Sequence, residues 1–326
     1  MDMFWSVFCI VALLIVLFLL ISLVCFFLVF YVPRRRPDAE EDYTIPPGKI
    51  YEPHRDTMVA WMKEARATAH EDFSIRSFDG LTLWGKYYEY APGAPIELMF
   101  HGYRGTAERD LCGGIQRCSA LGRSALIVDQ RTSGRSEGHI ISFGVNESRD
   151  CLSWVDFMIS HFGPDVKIIL TGISMGAATV LTAAGNPLPP NVVGVLADCG
   201  YTSAKEIIQT VMRQLKLPHK LLYPFVKLGA RLFGRFDLEE VSPIEALKNC
   251  TVPVFFVHGE TDDFVPCHMS KSNYNVCPTP KRLYTVPGAG HGLSYVIDGQ
   301  GYLAALAQFN PEYGLTVPEA YRKEQI

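Results

Sequence analysis

The chain has 326 residues, 48% of them hydrophobic, enough for one large core without requiring two globular domains. Its 30 Lys and Arg against 34 Asp and Glu give a net charge of −4, with no basic excess that would draw it to nucleic acid. The nine cysteines (9, 25, 112, 118, 151, 199, 250, 267 and 277) form no C-x-x-C pair. Two lie in the apolar N-terminus and seven beyond it, an odd number for a disulfide framework, as expected of free buried thiols in a reducing compartment.

No charge interrupts the run from Phe4 to Val32. A hydrocarbon core of about 30 Å needs roughly 20 helical residues, so this run predicts a transmembrane helix standing apart from the fold. A cleaved signal peptide would need a positive n-region and a shorter apolar stretch, and here Met1-Asp2-Met3 precedes a long one. Arg34, Arg35 and Arg36 follow directly, which places the rest of the chain on the cytoplasmic side of a single span. The acidic, proline-bearing stretch after them reads as a tether. The expected organisation is an anchor with its basic flank over 1–36, a linker over 37–55 and one domain over 56–326.

Asp56 is placed to cap a short helix carrying Met58, Val59, Met62 and Ala65 on one face. Phe73 to Phe78 and Leu81 to Tyr90 flank Asp79-Gly80, a strong hairpin signal. From Ile96 onward, short apolar runs (96–100, 125–128, 167–170, 192–196, 253–257 and 282–286) alternate with helical stretches near 107–121, 145–161, 175–184, 267–275 and 293–309. That alternation predicts an α/β fold, a mostly parallel sheet with helices on both faces. Residues 202–249 are too long for one crossover helix and read as a helical insertion, amphipathic and basic on one side, forming a cap over the carboxyl ends of the strands.

Gly172-Ile173-Ser174-Met175-Gly176 stands between a strand and a helix, the setting of a nucleophile elbow, where small flanking residues permit a tight turn and leave the Ser hydroxyl exposed at a helix N-terminus. A serine hydroxyl needs a base, and the base an orienting carboxylate. His291, in Gly-Ala-Gly-His-Gly past the last strand, is the candidate base. The loop after the penultimate strand, His258 to Pro266, offers Asp262 as the acid, with Asp263 next and Asp198, on the preceding strand, a weaker alternative. His101-Gly102-Tyr103-Arg104-Gly105 follows the first parallel strand, so the backbone N–H groups of Tyr103 and Met175 are the candidate oxyanion donors. The loop from Asp129 to Gly138 reads as a buttress. Metal-ligand spacings, a P-loop and a dinucleotide fingerprint are missing, so neither cofactor nor metal is expected.

With these motifs in place, the chain from about Phe73 to Phe309 resembles the alpha/beta-hydrolase superfamily, and looks most like membrane-anchored bacterial members grouped with esterases and prolyl-oligopeptidase-like hydrolases. The resemblance implies acyl transfer from an ester or thioester, lipidic ones included, to water through a Ser174 acyl-enzyme. Peptidase or amidase chemistry of the same fold, and a non-catalytic hydrolase-like scaffold, are the alternatives. The loop after Asp129 departs from the family pattern, with Gln130 and Thr132-Ser133 at positions more often aromatic and glycine.

Overall fold

The computed structural model describes residues 2–33 and 43–321; the arginines at 34–36 and the acidic stretch ending at Asp42, read above as basic flank and tether, lie outside the described residues. The N-terminal run is helix α1 (Asp2–Val29), among the described residues the one helix long and apolar enough to cross a membrane. Its first two-thirds are exposed, but Phe26, Phe30 and Val32 are buried in a core cluster with Phe143, Phe236, Val226 and Met175. The end of the helix is therefore part of the fold rather than apart from it. The 28 residues of α1 span about 42 Å at the helical rise, more than a hydrocarbon core requires, and the surplus packs on protein.

Helix α2 (Arg55–Ala67) buries Met58, Met62 and Ala65, as its spacing predicts, and half-buries Val59. Asp56 does not cap it. A 3₁₀ turn over Glu52–His54 runs directly into the helix, which has no side-chain N-cap, and Asp56 sits in the first turn where its charge complements the helix dipole. Strands β1 (Glu71–Arg76) and β2 (Thr82–Tyr88) form the antiparallel hairpin across Gly80, which adopts φ +88°.

The parallel part then unfolds as β3 (Ile96–Phe100), α3 (Ala107–Ala120), β4 (Ser124–Asp129), α4 (Val145–Phe162), β5 (Ile168–Ile173), α5 (Met175–Ala183) and β6 (Val192–Asp198). The insertion contributes α6 (Ala204–Gln214), α7 (His219–Leu232) and the short α8 (Pro243–Ala246), and the chain ends with β7 (Val254–Gly259), α9 (His268–Val276), β8 (Lys281–Val286), α10 (Ser294–Ile297) and α11 (Gly299–Phe309). The single helix expected over 293–309 is divided because Asp298 accepts a hydrogen bond from Gly301 N–H (3.0 Å) and starts a new helix. The eight strands lie in the order β1-β2-β4-β3-β5-β6-β7-β8, antiparallel only at β1-β2 and β2-β4. This topology brings the carboxyl ends of β3, β5, β7 and β8 to one rim, where the loops of interest emerge.

One charged side chain is hidden in the central apolar strand. Glu97 is fully buried and takes guanidinium groups of Arg117 (2.7 Å) and Arg123 (2.5 Å) and the hydroxyl of Thr171 (3.0 Å). Burial alone would raise its carboxyl, but the two arginines hold it down at about 2.

Candidate active site

Ser174 occupies the turn between β5 and α5 with φ +56° and ψ −117°, a backbone region that non-glycine residues rarely enter. The turn is possible only between glycines. A Cβ on Gly172 would run into the carbonyl of Gly176, and one on Gly176 into that of Phe100. Ser174 N–H donates to the Asp198 carbonyl (2.8 Å), pinning the elbow to the neighbouring strand end.

The structure brings Ser174, His291 and Asp262 together. His291 Nε2 is 2.9 Å from Ser174 Oγ and His291 Nδ1 is 2.7 Å from Asp262 Oδ2. Two hydrogen bonds stitch the loops that carry the acid and the base: Thr261 donates to the Ala289 carbonyl through both its N–H (3.1 Å) and its hydroxyl (2.9 Å). Asp262 Oδ1 accepts from the N–H groups of Phe264 (3.0 Å) and Val265 (2.8 Å), which fixes the carboxylate in one orientation. Burial alone would raise this carboxyl, but hydrogen bonds from His258 and His291 outweigh it and hold it at about 2. Asp263 is exposed at the rim, and Asp198, whose carboxyl burial pushes up, contacts the Ser294 hydroxyl (3.4 Å).

His258 is a residue that motif reading quoted without a role. Fully buried, it donates from Nε2 to the Val265 carbonyl (2.7 Å), lies 3.3 Å from Asp262 Oδ2 and accepts at Nδ1 from Ser270 Oγ (2.7 Å). It thereby ties the acid loop to α9. Cys199, beneath Asp262 and His291, has ligand atoms of both within 4.8 Å of its sulfur, but burial pushes its thiol up and disfavours the thiolate that a metal would require.

Gly102 lies against the serine, since a Cβ there would sit 3.5 Å from Ser174 Cβ. Tyr103, the next residue, lines the Ser174 cleft, and Met175 opens α5. The loop after Asp129 supports this strand end through its unusual residue: Gln130 N–H donates to His101 Nε2 (3.0 Å), and the Gln130 side-chain amide donates to the His101 carbonyl (2.6 Å). With Nε2 accepting, the His101 proton sits on Nδ1 and is donated to the Gly102 carbonyl (2.8 Å). Burial pulls this imidazole's pKa down and keeps it neutral.

The cleft over Ser174 measures about 580 Å³. One wall comes from Ile50, Tyr51 and Met58, so residues expected to be linker instead close over the site, and Tyr103, Arg104 and Phe264 form the other wall. No residue of the 202–249 insertion lines it. The insertion stands beside the cleft because its apolar face is occupied by α1, and it touches the rim where the Gln214 amide donates to the carbonyls of Asp263 and Phe264.

No protein-family model matches the chain. In sequence it is 30% identical over 190 residues to an uncharacterized Bacillus subtilis protein, YqkD, a match covering 58% of this chain and 62%, less than two-thirds, of that one. It is 24% identical over 255 residues to bem46 of Schizosaccharomyces pombe, covering 76% of this chain and 79% of the relative. In structure it is similar to an esterase of Pyrococcus furiosus, with a TM-score of 0.62, 20% identity, and 83% of this chain and 98% of that one covered. The eight-stranded, mostly parallel sheet agrees with that likeness, and the chain has an alpha/beta-hydrolase fold.

Proposed function

We propose that the chain is a serine hydrolase that cleaves carboxylic ester or thioester bonds, held at a membrane by α1 with its body on the side of Arg34–Arg36. The observation that carries the reading is the unbroken relay from Asp262 through His291 to Ser174, with hydrogen bonds of 2.7 and 2.9 Å. Asp262 holds the His291 proton on Nδ1, which leaves Nε2 free to take the proton of Ser174 as its oxygen attacks the acyl carbon. The N–H groups of Tyr103 and Met175 receive the developing oxyanion, each worth about 10²-fold or more in rate. His291 then returns its proton to the departing alkoxide or thiolate. A water molecule, deprotonated by the same imidazole, hydrolyses the acyl-enzyme.

The fold likeness to an esterase supports the ester class, and the apolar side chains of Ile50, Met58 and Phe264 lining the cleft suit an acyl chain. Ser174→Ala is the test. Turnover of p-nitrophenyl esters by the full chain should fall by about 10⁴- to 10⁶-fold while the variant keeps its melting temperature. A variant as active as the parent, or a parent that a fluorophosphonate probe does not label at Ser174, sinks the proposal.

A further inference from the structure

The apolar side chains of the insertion are not all covered. Leu215 (64% exposed) and Leu217 (42%), in the turn joining α6 to α7, and Leu221 (66%), in the first turn of α7, project among Arg213, Lys216, His219 and Lys220. Apolar tips in a basic surround are the composition of a segment that seats in the headgroup region of an anionic bilayer.

The packing of α7 on α1 fixes where this turn lies. Phe18 meets Phe225 (ring centroids 4.4 Å apart), Ser22 faces Gly229, and Phe26 meets Phe233 (5.9 Å), so each contact pairs residues 207 apart and the two helices run parallel. The approach is close at the middle pair: a Cβ on Gly229 would come 2.6 Å from the Ser22 carbonyl oxygen. By the same offset, Leu221 stands level with Leu14 of α1. Nearly all of α1 up to Leu20 is exposed, whereas from Ser22 one face is buried at Ser22, Phe26 and Phe30 while Val24, Phe27 and Leu28 stay exposed, and the start of that burial sets the boundary of the hydrocarbon near Leu20 to Ser22. Leu221 then lies roughly 10 Å on the membrane side of that boundary, the depth that an interfacial helix reaches.

The rim of the cleft is tied to both of these elements. Tyr103 and Arg104, in one wall, donate to main-chain carbonyls of Val29, Leu28 and Tyr31 at the end of α1; Phe264, in the same rim, accepts from Gln214, the residue before Leu215.

We propose that the turn between α6 and α7 is a membrane-docking surface seated beside α1 in one leaflet, and that the Ser174 cleft takes an acyl ester or thioester dissolved in that leaflet. The docking half stands on the α1–α7 register and the exposed leucines. The substrate half rests on the hydrolase reading above.

The experiment uses the full chain in vesicles of phosphatidylcholine and phosphatidylglycerol. With Trp5→Phe removing the membrane tryptophan, Leu217→Trp should add an emission that lipids brominated on their acyl chains quench by at least about half, as contact with the acyl boundary demands. An added tryptophan that bromine leaves unquenched, as when the turn rests in water or against another protein, overturns the docking surface. In the second arm, Leu215→Glu, Leu217→Glu and Leu221→Glu are combined. Turnover of water-soluble p-nitrophenyl acetate should stay within about twofold, which also shows that the variant is folded, while turnover of a long-chain ester embedded in the vesicles falls about tenfold or more. Equal loss on both esters, or none on the embedded one, overturns the leaflet substrate. A parent inactive on both esters would remove the hydrolase reading, one active on the soluble ester alone would overturn the leaflet substrate, and the quenching would still decide the docking surface by itself.

Discussion

The phenol of Tyr103 donates a hydrogen bond to the main-chain carbonyl of Val29 at 2.7 Å, joining the loop beside Ser174 to the last turn of the N-terminal apolar helix. Arg104 repeats the tie by donating to the carbonyls of Leu28 (3.0 Å) and Tyr31 (3.2 Å). Because α1 ends at Val29, with Val32 N–H turned to the His139 carbonyl and Pro33 lacking an N–H, the carbonyls of Leu28 and Val29 have no onward helical turn, and the two side chains act as a C-terminal cap supplied from a distant part of the chain.

Because the Tyr103 N–H is a proposed oxyanion donor, loosening this tie should act on the chemical step. The double variant Tyr103→Phe, Arg104→Ala keeps both backbone N–H groups, and its kcat on a soluble ester should fall about tenfold with KM within about twofold, as expected of a small misplacement. Steady-state kinetics in detergent check it, and a change confined to KM would argue for a lost substrate contact instead.

Deleting residues 1–42 should not yield a well-behaved soluble enzyme. Phe26, Phe30 and Val32 leave the cluster that holds Phe143, Phe236 and Val226, at a cost of about 1.5–3 kcal/mol for each buried side chain. The truncated chain is expected to melt well below the full chain and to scatter light on concentration. A melting temperature within a few degrees of the parent would show that the end of α1 is dispensable to the fold.

The Asp262 carboxyl sits at about 2, below its ordinary 3.8, so its charge contributes stability that is complete above about pH 4 and is lost as the pH falls through 2. Asp262→Asn lacks this contribution at every pH. The gap in melting temperature between parent and variant should therefore be widest toward neutrality and close between pH 4 and 2. Activity of the same variant on esters should drop about 10⁴-fold, because the amide no longer selects the productive tautomer of His291.

Glu97→Ala removes one carboxylate and strands two buried guanidinium groups, Arg117 and Arg123. A loss of about 3–5 kcal/mol is expected from breaking a buried pair in this way. Urea unfolding followed by tryptophan fluorescence measures it; a loss under 1 kcal/mol would mean that water reaches the arginines once the acid is gone.

Much of the fold was legible in the sequence because its signals are local. The Asp79-Gly80 turn, the periodicity of each strand and helix, and the glycines around Ser174 each act within a few residues, and the structure places these elements within two residues of the expected bounds, except that β5 runs three residues further, to Ile173, and the last helix is divided. Where reading failed, a distant partner had changed the meaning of a local pattern. Glu97 lies inside a run that reads as apolar because its two arginines come 20 and 26 residues later. Gln130 departs from the family pattern because its amide is held at a distance in sequence, donating to the His101 carbonyl (2.6 Å) and accepting from the Thr179 hydroxyl (3.4 Å).

Sequence alone thus determined which elements form, their order, and which serine, aspartate and histidine emerge at one rim of the sheet, since hydrophobic periodicity and turn chemistry are properties of neighbouring residues. Only the tertiary structure decided that the last turns of α1 and the segment after Tyr43 belong to the body, the first against α7 and the second over the cleft. Burial of an apolar face specifies that a partner must exist and not which one, so that choice is made by shape and close packing across the whole chain, as at Ser22 and Gly229.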